Sequence, residues 1–412
     1  MDGPLVIVNS QLDFVGDAAA LAADPALQAH LLGVTQPETA EFSSGARMAR
    51  QLLQRRAKMV SVRIGIIGLG TIGRTHWEVI RQSPQTELVA VADPTPAALN
   101  FAQGGNVPAY ADYREMLAQE KLDGVIVAVP NAEHVPVTLD CIERGIAVLV
   151  EKPISDSVPA ALEMCGVAKA RDVPLLVGHH RRHNTAIQRV RQAIADGLIG
   201  RPVTATVMYN QLKTASYFDL GWRREPGGGP ILINLIHEID LIRFMFGEIH
   251  SVQAVSSNAV RGFAVEDTAA VMLRFLSGAI GTISVSDTAV SPYSWDLASG
   301  EFDSMLGTSD QISRQKVTTH VFAGTEGAVT LPTLKYYNYT GVAEPGWRSD
   351  LNAETLVAAT EDTYLRQIEH FARVIRREDE PLVSGLDGVR TLQATLAVKD
   401  AAATGQTVIL DA

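Results

Sequence analysis

The sequence predicts an α/β domain with a doubly wound parallel sheet, a Rossmann arrangement, followed by an α+β domain with a large open, mainly antiparallel sheet. Three observations carry this. Between Val62 and Gly178, near-continuous Val/Ile/Leu runs alternate with helical patterns, as strands buried on both faces require. After about Arg182 the runs change to apolar–polar alternation with short turns, which suits an antiparallel sheet with one face off the core. The stretch "RIGIIGLGTIGRTH", residues 63–76, sets Gly68, Gly70 and Gly73 directly after the first β-branched run. Glycine weakens strand and helix interiors, so three together mark a place where backbone approaches something closely.

In chain order, "VRIGIIG" is a strand and Thr71 to about Gln82 a helix; "ELVAVAD" is a strand and "PTPAALNFAQ" a helix. "DGVIVAVP" leads to "EHVPVTLDCIERG", "IAVLVE" to "SVPAALEMCGVAKARD", and "VPLLVG" closes the series. Residues 61–182 therefore form the first, doubly wound domain and 183–412 the second domain, which ends in two helical stretches. Residues 1–60 stand apart as an extension of uncertain role. "ALAADPALQAHLLGV" reads there as a short helix pair before a polar linker. Residues 3–34 resemble the C-terminal tail of an ABC transporter ATPase subunit and carry no phosphate-binding loop.

At 412 residues the chain is long for one core, and its 46% hydrophobic and 20% charged residues suit a globular protein. A net charge of −11 argues against a nucleic-acid footprint, while leaving room for a local anion site. Two cysteines, Cys141 and Cys165, are too few for a disulfide framework. No apolar run approaches a membrane span, and the start lacks a secretory signal, so the expected location is the cytoplasm.

The glycine spacing has a specific reading because it follows a buried strand and opens a helix. Gly68 permits the tight turn, Gly70 lets backbone reach a pyrophosphate, and Gly73 lets the helix pack closely on the sheet. The helix N-terminus, with Thr71 and Ile72, then faces the diphosphate. Asp93, 20 residues beyond Gly73 at the next strand end, would accept the ribose hydroxyls and repel a 2′-phosphate. The expected cofactor is NAD; Arg74, able to meet a phosphate, leaves NADP open.

Candidate chemistry sits at two further places. "VLVEKPIS" puts Glu151, Lys152 and Pro153 at the C-terminal end of a buried strand, the edge at which open α/β sheets bind ligands. A lysine there can stabilise an alkoxide during hydride transfer, and a cis Pro153 would suit the tight turn. "GGGPILINLIHEIDLIRF" places His237 in an apolar helix with Asn234 and Asp240 three residues to either side, close enough to orient it. A histidine of near-neutral pKa can take the hydroxyl proton as hydride leaves. A satisfied core histidine is the equal alternative on this segment alone. No His/Cys/Asp/Glu cluster has metal-ligand spacing, and no nucleophile elbow for acyl chemistry occurs.

Together with "VAVPNAEH" and "VGHHRRHN", these segments make residues 61–410 resemble the glucose–fructose oxidoreductase / inositol dehydrogenase / rhizopine-catabolism (Gfo/Idh/MocA) family. The resemblance implies an NAD(P)-dependent dehydrogenase acting on CH–OH groups, with Lys152 and His237 as the catalytic pair. It also implies a homodimer or homotetramer formed through the C-terminal sheet. Pro130, Asn131 and His134 correspond to the family's cofactor-side loop, and Arg182 in "GHHRRHN" to a cofactor or substrate contact; His180 is evenly balanced and His76 reads as packing. One departure stands out. Polyol-oxidising members commonly carry aspartate four residues before the histidine, where this chain has Ile233.

The expected substrate is a small hydroxylated molecule of the polyol, sugar or inositol kind. Lys213, Tyr217, Trp222 and Arg223 in "KTASYFDLGWRREPGGG" suit a hydroxylated or carboxylated ring, so a cis-dihydrodiol or hydroxylated ring carboxylate is the alternative. A catalytically silent NAD(H) sensor and an NAD-using glycosidase are the remaining readings.

Overall fold

The computed structural model describes residues 5–8, 11–15, 61–301 and 314–410. Met1–Val60 form one compact unit and Ser61–Ala412 another. In the first, β1 (Leu5–Val8) pairs antiparallel with β2 (Gln11–Val15), a hairpin that the sequence reading did not separate from its surroundings. The expected helix pair and linker lie outside the described residues.

The second unit opens with six parallel strands: β3 (Val62–Ile67), β4 (Thr86–Ala92), β5 (Ala109–Tyr110), β6 (Gly124–Val127), β7 (Ala147–Val150) and β8 (Leu175–Val177). Their order, β5-β4-β3-β6-β7-β8, reverses at β3, which leaves a crevice outside the carboxyl ends of β3 and β6. Helices α1 (Thr71–Gln82), α2 (Pro96–Gly104), α3 (Tyr113–Gln119), α4 (His134–Glu143) and α5 (Val158–Ala170) make the crossovers. Both sheet faces are covered, so β6 and β7 are buried along their whole length. The helix starts follow local chemistry: Pro96 occupies the first turn of α2, and the Ser157 hydroxyl caps α5.

Helix α6 (Thr185–Ala195) leads into nine strands: β9 (Pro202–Asn210), β10 (Ile249–Ser257), β11 (Thr268–Phe275), β12 (Ile280–Ser286), β13 (His320–Gly324), β14 (Gly327–Leu331), β15 (Lys335–Asn338), β16 (Asn352–Thr355) and β17 (Val408–Ile409). They run in the order β16-β15-β14-β13-β9-β12-β11-β10-β17, antiparallel except for the β9–β12 pair. One face packs Val207, Val271, Leu273, Phe275 and Ile283 under α7 (Ile236–Phe246). The other leaves Val255, Met272 and Ile280 exposed. This is the expected mainly antiparallel open sheet.

The last two long helices, α9 (Thr363–Ile375) and α10 (Gly385–Thr404), return to the parallel layer. Tyr364, Ile368 and Phe371 fill the core beside α1, and Val389 and Leu392 fill the core beside β8. Burying each such side chain stabilises the fold by about 1.5–3 kcal/mol. A Ser384–Asp387 capping box starts α10, whose neighbour Val383 accepts a hydrogen bond from Val177 N–H.

The glycine turn is tightly built. Gly68 has φ of +93°, and a Cβ there would lie 2.4 Å from the Ala128 carbonyl oxygen. A Cβ on Gly73 would lie 2.0 Å from the Gly68 oxygen. Gly73→Ala is therefore expected to push α1 off the sheet at a cost of about 1–3 kcal/mol or more. A thermal melt should fall and an NADH fluorescence titration should weaken; unchanged values in both would contradict the close approach.

Candidate functional site

At the mouth of the parallel sheet, Gly70 differs from its two neighbours: a Cβ there would meet nothing within 4 Å. It precedes the first turn of α1, whose start has no side-chain cap, so its N–H groups remain available for an anion. The turn is held by Asp93, whose Oδ2 accepts from Leu69 N–H at 2.8 Å while Oδ1 accepts from the Thr95 hydroxyl at 2.6 Å. Burial pushes the Asp93 carboxyl up, but the Thr95 and Leu69 hydrogen bonds and Arg74 outweigh it and hold it below its usual range. A fixed negative charge at this strand end fits ribose hydroxyls and opposes a 2′-phosphate. Arg74 lies 4.5 Å over the Phe101 ring. These residues fit a nicotinamide dinucleotide.

Beside this turn a cavity of about 390 Å³ brings together Thr71, Ile72 and Asn131 with Lys152, Asn234 and His237. Lys152 follows β7 and is joined to Pro153 by a cis peptide bond. Its predecessor Glu151 is buried, with Oε1 accepting from His76 Nε2 at 2.8 Å. A Cβ on residue 178 would strike the Glu151 carboxylate at 2.9 Å, so Gly178 makes its room. His76 thus reaches across from α1 to the lysine segment rather than merely packing on its own helix. His134 is buried between the Pro153 and Val129 carbonyls, at 2.7 and 3.0 Å, and ties the two loops together. Burial presses the Lys152 pKa down from its usual value, Glu151 opposes, and Arg181 adds to the depression.

His237 opens α7 directly after a π-turn over Ile231–Leu235, an irregularity common at functional sites. The turn presents Ile233 and Asn234 to the cavity. Burial, and then the charges of Lys152 and Arg181, hold the His237 pKa well below its usual value. The ring is therefore neutral at pH 7. Its buried Nδ1 has no hydrogen-bond partner among the described residues, and the His179 and His180 rings lie edge-on at 6.4 and 5.4 Å.

Three expectations are corrected here. Arg182 does not line the cavity: its Nη2 and Nε donate to the two Asp240 oxygens at 2.6 and 2.9 Å, and its Nη1 to Asp387 at 3.2 Å. Asp240 consequently does not orient His237; it is occupied by Arg182 and the Thr391 hydroxyl at 2.9 Å. Asn234 does not orient it either, since its amide donates to the Tyr209 hydroxyl at 2.8 Å. On the outer loops, Trp222 is 55% exposed and Pro130 is also exposed; both are outside the cavity lining, whereas Lys213, Tyr217 and Arg223 belong to it.

The residue that replaces Arg182 is its neighbour. A single 3-10 turn over His180–His183 sends Arg181 into the cavity wall. Its Nη1 donates to Glu238 at 2.6 Å and its Nη2 to Asp296 at 3.0 Å, and Nε lies 3.3 Å from Glu301. Asp296 also accepts from the Tyr209 hydroxyl and from Gln211, and Glu301 from the Trp295 indole at 2.7 Å. Glu238 is further paired with His320 Nε2 at 2.6 Å. His180 stacks on Tyr364 at 4.4 Å and lies 3.6 Å from Glu301. Asp296 lies in the first turn of the short helix α8 (Trp295–Ser299) and Glu301 just beyond it, and "YSWDLASGE" carries no spacing that announces them.

A family model described as an oxidoreductase family with an NAD-binding Rossmann fold matches residues 62–179, and a Gfo/Idh/MocA C-terminal domain model matches 187–349. The chain belongs to the Gfo/Idh/MocA family. It is 29% identical to myo-inositol 2-dehydrogenase of Thermotoga maritima over 82% of this chain and 95% of that protein. It is 30% identical to 1,5-anhydro-D-fructose reductase of Ensifer adhaerens over 84% of this chain and 97% of that one. The WlbA dehydrogenase of Bordetella pertussis, solved with NADH and UDP-GlcNAcA, shares the fold with a TM-score of 0.68 at 23% identity, over 86% of this chain and 100% of that one. This Gfo/Idh/MocA member is an NAD-binding oxidoreductase, and curated relatives include inositol dehydrogenases. Among the described residues no helix is long and apolar enough to cross a membrane, and no group of three or more His, Cys, Asp or Glu could hold a metal ion.

The placement of Arg182 makes a direct prediction. Arg182→Gln strands the buried Asp240 charge and should destabilise the protein by about 3–5 kcal/mol. The NADH dissociation constant of the folded variant should stay within about twofold of the parent. Intact stability with a large loss of NADH affinity would return Arg182 to the cofactor.

Proposed function

We propose that the cavity oxidises a secondary alcohol on a polyol, sugar or inositol-like molecule. The observation that carries this reading is that Lys152, from a strand end of the parallel layer, and His237, from the first turn of α7, share one cavity with Thr71 and Ile72 of the glycine turn. NAD, held at that turn, supplies the hydride acceptor. As the carbon loses hydride, the hydroxyl oxygen gains negative charge before the carbonyl forms. The Lys152 ammonium stabilises that charge in a site where neighbouring protein replaces water. The neutral His237 ring accepts the hydroxyl proton, its depressed pKa keeping it able to do so at pH 7. Relatives named as inositol 2-dehydrogenases and as D-apiose dehydrogenase support the substrate class. The exposed Val255, Met272 and Ile280 on the open sheet support assembly into a homodimer or homotetramer through that face.

The test is NADH formation at 340 nm from NAD and a panel of inositols, aldoses and sugar acids. Lys152→Met should lower kcat by about 10²–10³ while NADH binding is kept; undiminished turnover removes Lys152 from the reaction. A protein that binds NADH yet oxidises nothing would be the silent sensor.

The pH profile follows from the same two groups. Proton acceptance needs neutral His237, so kcat/KM should stay level near pH 7 and fall on an acid limb lying below the ordinary histidine value of 6.5. The Lys152 charge is lost as pH rises through a pKa below the ordinary 10.5, giving an alkaline limb below that value. His237→Gln should abolish the acid limb and cost about 10²–10⁴ in kcat. An acid limb that survives the substitution assigns the base to another group.

A further inference from the structure

The cavity is richer in cations than alcohol oxidation requires. Lys213 and Arg223 line it, on the loop between β9 and the π-turn, in the company of Lys152 and Arg181. The cavity's carboxylates are already engaged: Glu151 by His76, Asp296 by Arg181, Tyr209 and Gln211, and Glu301 by Trp295, Arg181 and His180. Asp287, next nearest in charge to Lys213, is taken by Arg261 at 2.8 Å. Among the described residues, neither Lys213 nor Arg223 forms an ion pair, although both are partly buried.

What the two share is one aromatic ring. The Arg223 guanidinium stacks on Tyr217 at 3.7 Å, and the Lys213 ammonium lies 5.2 Å from the same ring. Arg223 Nη1 donates to the Tyr217 carbonyl at 2.7 Å, but its buried Nε has no acceptor among the described residues. A buried donor of this kind calls for a partner. Burial, and then the positive charges of Arg223 and Arg181, press the Lys213 pKa down against Asp296 and Asp287. A neutral polyol entering here would strip water from two unpaired cations and could return hydrogen bonds to them, but no compensating negative charge. Arg224, the next residue, is exposed and outside the cavity lining, so the arrangement is not a general basic loop. It is also local, in a chain of net charge −11.

We infer that Lys213 and Arg223 form a carboxylate subsite, and that the substrate is a hydroxylated acid, such as a sugar acid or a polyhydroxylated ring carboxylate. The inference rests on the alcohol-oxidising reading above and specifies what else the substrate carries. The carboxylate neutralises the Lys213–Arg223 pair, and the alcohol carbon lies toward Lys152 and His237. A planar carboxylate suits a guanidinium already fixed by stacking.

Calorimetric titration into the NADH-saturated protein tests this without relying on turnover. The probes are D-glucuronate, D-galacturonate and quinate, with D-glucose, myo-inositol and D-glucose 6-phosphate as comparisons. At least one carboxylate should bind tenfold or more tightly than its neutral counterpart. Arg223→Gln and Lys213→Met should each weaken that binding about 10- to 100-fold, with NADH affinity and the thermal midpoint kept as controls of folding. Arg224→Gln should change none of these. Equal or tighter binding of the neutral compounds, no binding by any carboxylate, or unchanged affinity in both subsite variants overturns the inference; preference for the phosphate overturns the choice of carboxylate. A carboxylate that binds through Arg223 yet yields no NADH would instead count against the alcohol-oxidising reading, so the two can fail separately.

Discussion

The arrangement of the site depends on the Arg181 guanidinium, buried among Glu238, Asp296 and Glu301. Its three partners come from α7, α8 and the chain just beyond α8, and Arg181 itself follows the last parallel strand. One side chain therefore sets the distance between the layer that carries Lys152 and the helix that carries His237. Burial alone would push Glu238 toward its neutral form, but Arg181 and His320 outweigh it. The cluster persists because each carboxylate has further hydrogen-bond partners besides the one guanidinium, and removing Arg181 would leave three carboxylates uncompensated in a dry environment.

This clamp bears on the one departure from the family pattern. With Ile233 in place of an acid, no carboxylate on α7's approach reaches His237, and its Nδ1 is left without a partner among the described residues. Of the acidic side chains of the cavity, Asp296 and Glu301 lie instead on Arg181, and Glu151 lies on His76. A neutral imidazole surrounded by Lys152, Arg181 and two further histidine rings is kept neutral by its setting rather than oriented by a hydrogen-bonded acid.

How far the sequence disclosed this site follows from what each residue depends on. Gly68, Gly70 and Gly73 were legible because backbone sterics make their roles local: two would clash if given a Cβ, and one faces open space. Lys152 was legible for a similar reason, since a strand end in a parallel sheet has a fixed relation to the ligand crevice. Arg182 was misread because the choice between it and Arg181 turns on the phase of a four-residue 3-10 turn, which no periodicity can set. Asp240 was misread because helical spacing gives neighbours on one helix, while its actual partners come from the turn before α6 and from α10. Asp296 and Glu301 were invisible for the same reason: their meaning lies in a guanidinium more than a hundred residues earlier in the chain. The π-turn at Ile231–Leu235 left no sequence signature.

The return of α9 and α10 to the parallel layer sets an order of events in synthesis. The strands and crossovers that bind the dinucleotide are translated first, yet Tyr364, Ile368 and Phe371 complete one of their cores, and Val389 and Leu392 the other. Until those helices emerge, a nascent chain exposes the apolar surfaces of α1 and β8 that they will cover. The cofactor-binding half cannot finish folding behind the ribosome as an independent domain ordinarily would. Its completion waits on almost the whole polypeptide, and a chain that stops short of α9 is released with the dinucleotide layer unsealed.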